Sequence, residues 1–133
     1  MKHIPQLILD SSLPYLEDLA REVGAVTTLA SRDFSPERVA QADALLIRSV
    51  VHCDAALLSG SRVRMIATAT AGYDHIDGPW CDAAGIAWRN APGCNAGGVV
   101  QYVLSSLAAW SLERGVALEG LTLGIVGVGH VGG

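Results

Sequence analysis

The stretch Ala42-Asp43-Ala44-Leu45-Leu46-Ile47-Arg48-Ser49-Val50 decides how this chain folds. Ala44 to Ile47 are apolar without interruption, and the run ends on Arg48-Ser49. Such a run reads as a strand buried on both faces, because a half-exposed strand alternates apolar and polar residues. The same pattern repeats outward. Upstream, Gln6-Leu7-Ile8-Leu9-Asp10 is a buried strand ending in an acid, and Ala25 to Leu29 is another. Downstream, Met65 to Thr70 and Ile86-Ala87-Trp88 add two more. Helical signals lie between them. Leu16, Leu19, Ala20 and Val23 recur at helical spacing, with Ser11 or Ser12 as the expected cap, Pro14 in the first turn and Gly24 at the stop. Ser35-Pro36-Glu37 opens a short helix through Ala42, Asp54 to Leu58 forms another, and Pro79 to Ala84 a third. The longest signal starts near residue 96. There Val99, Val100, Val103, Leu104, Leu107 and Ala108 mark one apolar face, and Gly115 lies just beyond. Leu121 to Val126 is expected as a final strand. Strands alternating with helices predict an α/β fold with a parallel sheet and crossover helices.

Composition narrows the function classes. Of 133 residues half are apolar and 17% charged, which excludes disorder as the main state. The most apolar stretch, Ala96 to Leu112, is broken by Gln101, Ser105, Ser106 and Ser111. It falls short of the roughly 18 uninterrupted apolar residues of a membrane helix. Net charge is −4 with no run of like sign, so no nucleic-acid partner is expected. Cys53, Cys81 and Cys94 are odd in number and lack a Cys-x-x-Cys pair. Reduced thiols are therefore expected, without a metal site. The amino terminus carries no export signal, which places the expected location in the cytoplasm.

In parallel sheets ligands bind beyond the carboxyl ends of the strands. Three polar or glycine-rich segments sit at such ends. Arg48-Ser49 offers a charge-assisted bond and a hydroxyl donor to an anionic substrate; the alternative is a surface Arg beside a helix-capping Ser. Thr68-Ala69-Thr70-Ala71-Gly72 is small and polar, and its alternative is a tight strand-to-helix turn. Gly127-Val128-Gly129-His130-Val131-Gly132 fits Gly-x-Gly-x-x-Gly after an apolar run. In that pattern the first glycine permits a tight turn, the second lets backbone approach a pyrophosphate, and the third lets a helix pack closely. Its alternative is a flexible glycine-rich tail. His75 lies between Asp74 and Asp77 and is expected to be structural, with one of the two acids capping the next helix. His3 and His52 have no supporting neighbours.

Four segments together resemble the D-isomer-specific 2-hydroxyacid dehydrogenases. They are residues 42–50, the run Ala67-Thr68-Ala69-Thr70-Ala71-Gly72-Tyr73-Asp74-His75-Ile76-Asp77, the loop Ala91-Pro92-Gly93-Cys94-Asn95-Ala96, and residues 124–132. The second and third are fairly specific to one member, and the last is general to the family. The resemblance covers nearly all of the chain and implies a two-domain enzyme. Residues 1–95 then correspond to the amino-terminal part of a flavodoxin-like substrate domain. Residues 96–120 correspond to an interdomain helix and linker, and residues 121–133 to the opening strand and turn of a Rossmann NAD-binding domain. The implied reaction is NAD-dependent oxidation of a small phosphorylated 2-hydroxy acid. The resemblance implies substrate contacts at Ser49 and Thr70, with Arg48 beside them, and cofactor contacts at Gly127, Gly129, His130, Val131 and Gly132. It also implies a catalytic Arg, Glu and His, which no position in these 133 residues matches, so the chain alone is expected to be inactive. Two departures stand out: Val51 where relatives often have Thr, and Gln101 where they usually have Glu. A homodimer is expected, from the apolar faces of the last helix and strand. A truncated relative kept only for binding is the non-enzymatic alternative. A phosphoacceptor receiver module is disfavoured because it needs a strand-end Lys, and the single lysine is Lys2.

Overall fold

A computed structural model describes residues 3–133. The chain divides into two compact units, Met1–Ala91 and Pro92–Gly133. The first contains β1 (Gln6–Asp10), α1 (Leu16–Val23), β2 (Ala25–Leu29), α2 (Pro36–Val39), β3 (Ala44–Ile47), α3 (Ala55–Leu58), β4 (Met65–Thr68), α4 (Gly78–Ala83) and β5 (Ala87–Arg89). All five strands are parallel, in the order β2-β1-β3-β4-β5. That is the flavodoxin-like order, in which the winding reverses between β1 and β3.

The core sits on the central strands. Leu45, Ile47 and Ile66 are fully buried and pack with Ile8, Val39 and Leu58. Leu7, Ile8 and Leu9 are buried in succession, so β1 is covered on both faces, as its sequence predicts. β2 departs from that expectation: only Leu29 is buried, because β2 is an edge strand. β4 ends at Thr68, two residues earlier than the apolar run suggests, since Thr70 already turns into the following loop.

Local chemistry sets the helix ends. Ser35 Oγ accepts from the Arg38 amide, with Pro36 just inside the helix. Asp54 accepts from the Ala56 and Leu57 amides, and Asp77 from the Trp80 amide. α1 is different. The expected cap by Ser11 or Ser12 does not form; Tyr15 precedes the helix in the left-handed region at φ 67°. The serines are already committed to strand ends. The Ser11 amide donates to the Leu29 carbonyl, and the Ser12 amide and hydroxyl donate to Asp10 Oδ1 at 2.9 and 2.7 Å. Ser31 Oγ donates to Asp10 Oδ2 at 2.7 Å. Burial alone would raise the pKa of the fully buried Asp10. The bonds from Ser31 and Ser12, with the nearby Arg48 charge, outweigh it and hold the carboxyl below its ordinary value.

Gly24 ends α1 as expected, and a second reason fixes its identity. A Cβ there would lie 2.3 Å from the Pro5 carbonyl oxygen, which accepts from the Ala25 amide at the start of β2.

In the second unit, α5 (Ala96–Arg114) ends at Gly115 in the left-handed region, φ 62°. The Val116 amide closes the end on the Ser111 carbonyl. None of its residues is buried, so the expected apolar face is not covered within the described residues. The strand expected at 121–126 does not form either. A strand requires a ladder partner for its amides and carbonyls, and residues 121–126 pair with none of the described strands.

Two outcomes follow from this packing. Gly24→Ala should cost about 1–3 kcal/mol in urea unfolding, because backbone must move to admit the methyl; a change below roughly 0.5 kcal/mol would contradict the close approach. Asp10 binds its proton less readily folded than unfolded. Its stabilisation is therefore present above its ordinary pKa of 3.8 and is lost as pH falls through the lower folded value. Asp10→Asn should lower stability at neutral pH by about 1–3 kcal/mol and flatten the acid limb of the wild-type profile. Parallel profiles for the two proteins would refute the role given to this carboxylate.

Candidate functional site

The parallel sheet carries the ends of β1, β3 and β4 to one edge. Arg48 and Ser49 follow β3 directly, and the Val51 amide donates to the Arg48 carbonyl at 3.2 Å. This closes a turn with Ser49 and Val50 exposed at its tip. Ser49 caps no helix, since Asp54 serves α3. Arg48 is exposed and forms no salt bridge among the described residues. It lies close enough to Asp10 for its charge to bear on that carboxyl. Asp10 ends β1 and Arg48 follows β3, so the two flank the point where the winding reverses. That is where open α/β sheets bind ligands.

β4 brings the third expected residue alongside. Ile47 pairs with Thr68, and the Ala69 amide donates to the Ile47 carbonyl at 3.0 Å. Thr70 thus follows the end of β4 as Arg48 and Ser49 follow the end of the neighbouring β3. The loop it opens is held at several points. The Ala91 amide donates to the Thr70 carbonyl at 2.9 Å and Asn90 Nδ2 to the Ala71 carbonyl at 2.7 Å. The Cys53 amide donates to the His75 carbonyl at 2.8 Å, and the Asp77 amide returns to the Cys53 carbonyl at 2.9 Å. The rings of Tyr73 and Trp88 lie 5.1 Å apart. A loop tied to β3, β5 and the segment before α3 presents Thr70 at a defined position.

His75 is buried, with Nε2 2.8 Å from Thr68 Oγ1. Burial and then the nearby His52 push its pKa down, against the pull of Asp74. Asp77, not Asp74, caps the next helix, and His75 belongs to a hydroxyl network. Sequence reading did not single out Thr68. The available signal was the Thr68-x-Thr70 spacing, which puts two hydroxyls on one side of an extended chain.

Burial pushes the Cys53 thiol up to about 12, helped by Cys81 and Asp54, and raises that of Cys81. Cys94 is an exposed free thiol. Val51 is buried in the core cluster, so this departure from the family pattern is a packing residue.

In the second unit, the glycine-rich segment forms a compact turn. Gly127 has φ 91°, a conformation L side chains rarely adopt. A Cβ on Gly127 or Gly129 would meet nothing within 4 Å, leaving the backbone open to a ligand. A Cβ on Gly132 would lie 2.3 Å from the Gly127 carbonyl oxygen, so the turn closes on itself there. The Gly133 amide donates to the Gly129 carbonyl at 3.0 Å, a single helical turn around His130 and Val131. The His130 ring packs over Gly93, where a Cβ would approach Nδ1 to 3.1 Å. This open backbone followed by a helical turn fits a pyrophosphate.

The chain has clear counterparts among known proteins. The chain is 48% identical over 128 residues to an erythronate-4-phosphate dehydrogenase of Porphyromonas gingivalis, covering 96% of this chain and 35% of that protein. It is 49% identical over 128 residues to one from Sodalis glossinidius, covering 96% and 34%. The chain thus spans about a third of the length of the curated relatives it matches. Among solved structures, NAD+-bound 3-phosphoglycerate dehydrogenase of Entamoeba histolytica matches with a TM-score of 0.72 and 25% identity, over 98% of this chain and 48% of that one. The model of the family described as D-isomer specific 2-hydroxyacid dehydrogenase, catalytic domain, matches residues 6–125. With a parallel sheet in the flavodoxin-like order and this match over most of its length, the chain belongs to the D-isomer specific 2-hydroxyacid dehydrogenases.

Proposed function

We propose that the chain is the substrate-binding part of an erythronate-4-phosphate dehydrogenase. The reaction is NAD-dependent oxidation of 4-phospho-D-erythronate to 2-oxo-3-hydroxy-4-phosphobutanoate, in pyridoxal 5'-phosphate (vitamin B6) biosynthesis in the cytoplasm. One observation carries the substrate: identity of 48–49% to proteins bearing that name, over 96% of this chain. The placement of Arg48, Ser49 and Thr70 at one strand edge supports it. A second member of the family, 3-phosphoglycerate dehydrogenase, is favoured by the structural likeness at a TM-score of 0.72, but its identity is only 25%.

Each side chain has a task suited to a doubly anionic hydroxy acid. The Arg48 guanidinium supplies charge and paired donors to a carboxylate or phosphate. The Ser49 and Thr70 hydroxyls donate to further oxygens of the same ligand and fix its orientation. In the domain division we infer, residues 1–95 form the start of the substrate domain, 96–120 the connection, and 121–133 the start of the NAD-binding domain. Gly127, Gly129, His130, Val131 and Gly132 would hold the dinucleotide phosphates through backbone amides. When bound, the nicotinamide supplies the hydride acceptor. No residue in the 133 matches the family's catalytic Arg, Glu or His, so this chain by itself binds without turning over.

Calorimetry tests the reading. The chain should bind 4-phospho-D-erythronate saturably, and Arg48→Ala should weaken binding roughly 10- to 100-fold. Arg62→Ala, at the opposite edge of the sheet beside Asp43, should change it less than about twofold. Tighter binding of 3-phosphoglycerate would overturn the substrate assignment. Absence of binding by both acids would favour a module without this role. NAD reduction by the chain alone would contradict its proposed inactivity. We further infer self-association, because Tyr102, Leu104 and Leu112 of α5 are exposed. Light scattering should show a dimer, and a monomer at all concentrations would refute it.

A further inference from the structure

We propose that Thr68 and His75 are positioning residues for Thr70: a one-directional hydrogen-bond relay, His75 to Thr68 to Thr70, holds the Thr70 oxygen in place while its O–H turns to donate to the substrate. The inference rests on the reading of Thr70 as a substrate contact. Thr70 Oγ1 donates to the Gly72 carbonyl at 2.8 Å. A carbonyl has no proton to give, so the direction of that bond is fixed. A hydroxyl has one proton, so Thr70 cannot also donate to Thr68 Oγ1, which lies 2.8 Å away. Thr68 is therefore the donor in that pair, and its own proton is spent. The 2.8 Å contact between Thr68 Oγ1 and His75 Nε2 must then be an N–H donation from the imidazole. The three distances are mutually satisfied by this one arrangement.

The relay is built into rigid parts of the unit. Thr68 is the last residue of β4 and is buried, as is His75. The His75 backbone is tied through its carbonyl to the Cys53 amide, and Cys53 and Ile76 form an isolated parallel bridge. In the free protein the Thr70 O–H donates to the Gly72 carbonyl. A carboxylate or phosphate oxygen is the stronger acceptor. On binding, the Thr70 hydroxyl swings its proton from Gly72 to the ligand, while the bond accepted from Thr68 keeps Oγ1 where it was. The hydroxyl changes acceptor without changing rotamer, and little order has to be created during binding.

The test uses the 133-residue chain with 4-phospho-D-erythronate as probe. Thr68→Val keeps the side-chain shape and removes the middle hydroxyl. It should weaken binding roughly tenfold, while Thr68→Ser should stay within about twofold of wild type and His75→Gln, which keeps a donor, within about fivefold. In nitrogen-detected NMR the neutral His75 ring of the wild type should carry its proton on Nε2. Wild-type affinity in Thr68→Val, or a proton on Nδ1 with Nε2 bare, would overturn the relay even if the wild type binds well. If the wild type does not bind the probe, the substrate reading of Thr70 fails and the relay's role fails with it. Because the tautomer is read on the wild type, a Thr68→Val protein that fails to fold still leaves the inference open to refutation.

Discussion

Parallel pairing is the constraint from which the rest of this molecule follows. In a parallel sheet each strand delivers its last residue to the same edge, and each return must pass through a crossover. Here β1, β3 and β4 bring Asp10, Arg48-Ser49 and Thr68-x-Thr70 to that edge. The order β2-β1-β3-β4-β5 puts the reversal of winding between Asp10 and Arg48. In open α/β sheets it is at such a reversal that ligands bind. Neither the charge nor the hydroxyls would converge without the pairing of Leu45 and Leu46 with β1 on one side and β4 on the other.

The edge is held differently at its two halves. On the β1 side a buried carboxylate takes bonds from Ser12 and Ser31, so β1 and the segment after β2 are locked by side chains. On the β4 side the loop from Thr70 to Asp77 is locked mainly by backbone bonds to Ala91 and Cys53. Arg48 and Ser49 lie between the two halves, exposed. A fixed frame around exposed donors suits a small anion, because the ordering cost is met during folding and not during binding.

The elements most legible in the sequence were those decided by local pattern. The Leu7-Ile8-Leu9 run gave β1 with its observed ends, and Gly24 and Gly115 marked their helix ends. What the pattern missed depended on distant partners. Ser12 looks like a cap from its position, but the Asp10 carboxylate two residues away competes for it and wins. Residues 121–126 look like a strand, yet apolar sequence cannot form one without a neighbouring ladder, and Val126 is fully exposed. Arg48, Ser49 and Thr70 were visible as strand-end polar residues. His75 is structural, as its sequence context suggests, and Asp77 caps the next helix; its partner Thr68 was not legible, because only the fold of the loop brings the two together.

In the function proposed above, the carboxyl edge around β3 and β4 binds a phosphorylated hydroxy acid. The most direct measurement is amide chemical-shift mapping of the nitrogen-labelled chain during titration with 4-phospho-D-erythronate. Saturable shifts should be largest at residues 48–50 and 69–72, with those at the opposite edge around Asp43 and Arg62 near zero. Shifts centred on Asp43 and Arg62, or none that saturate, would contradict it.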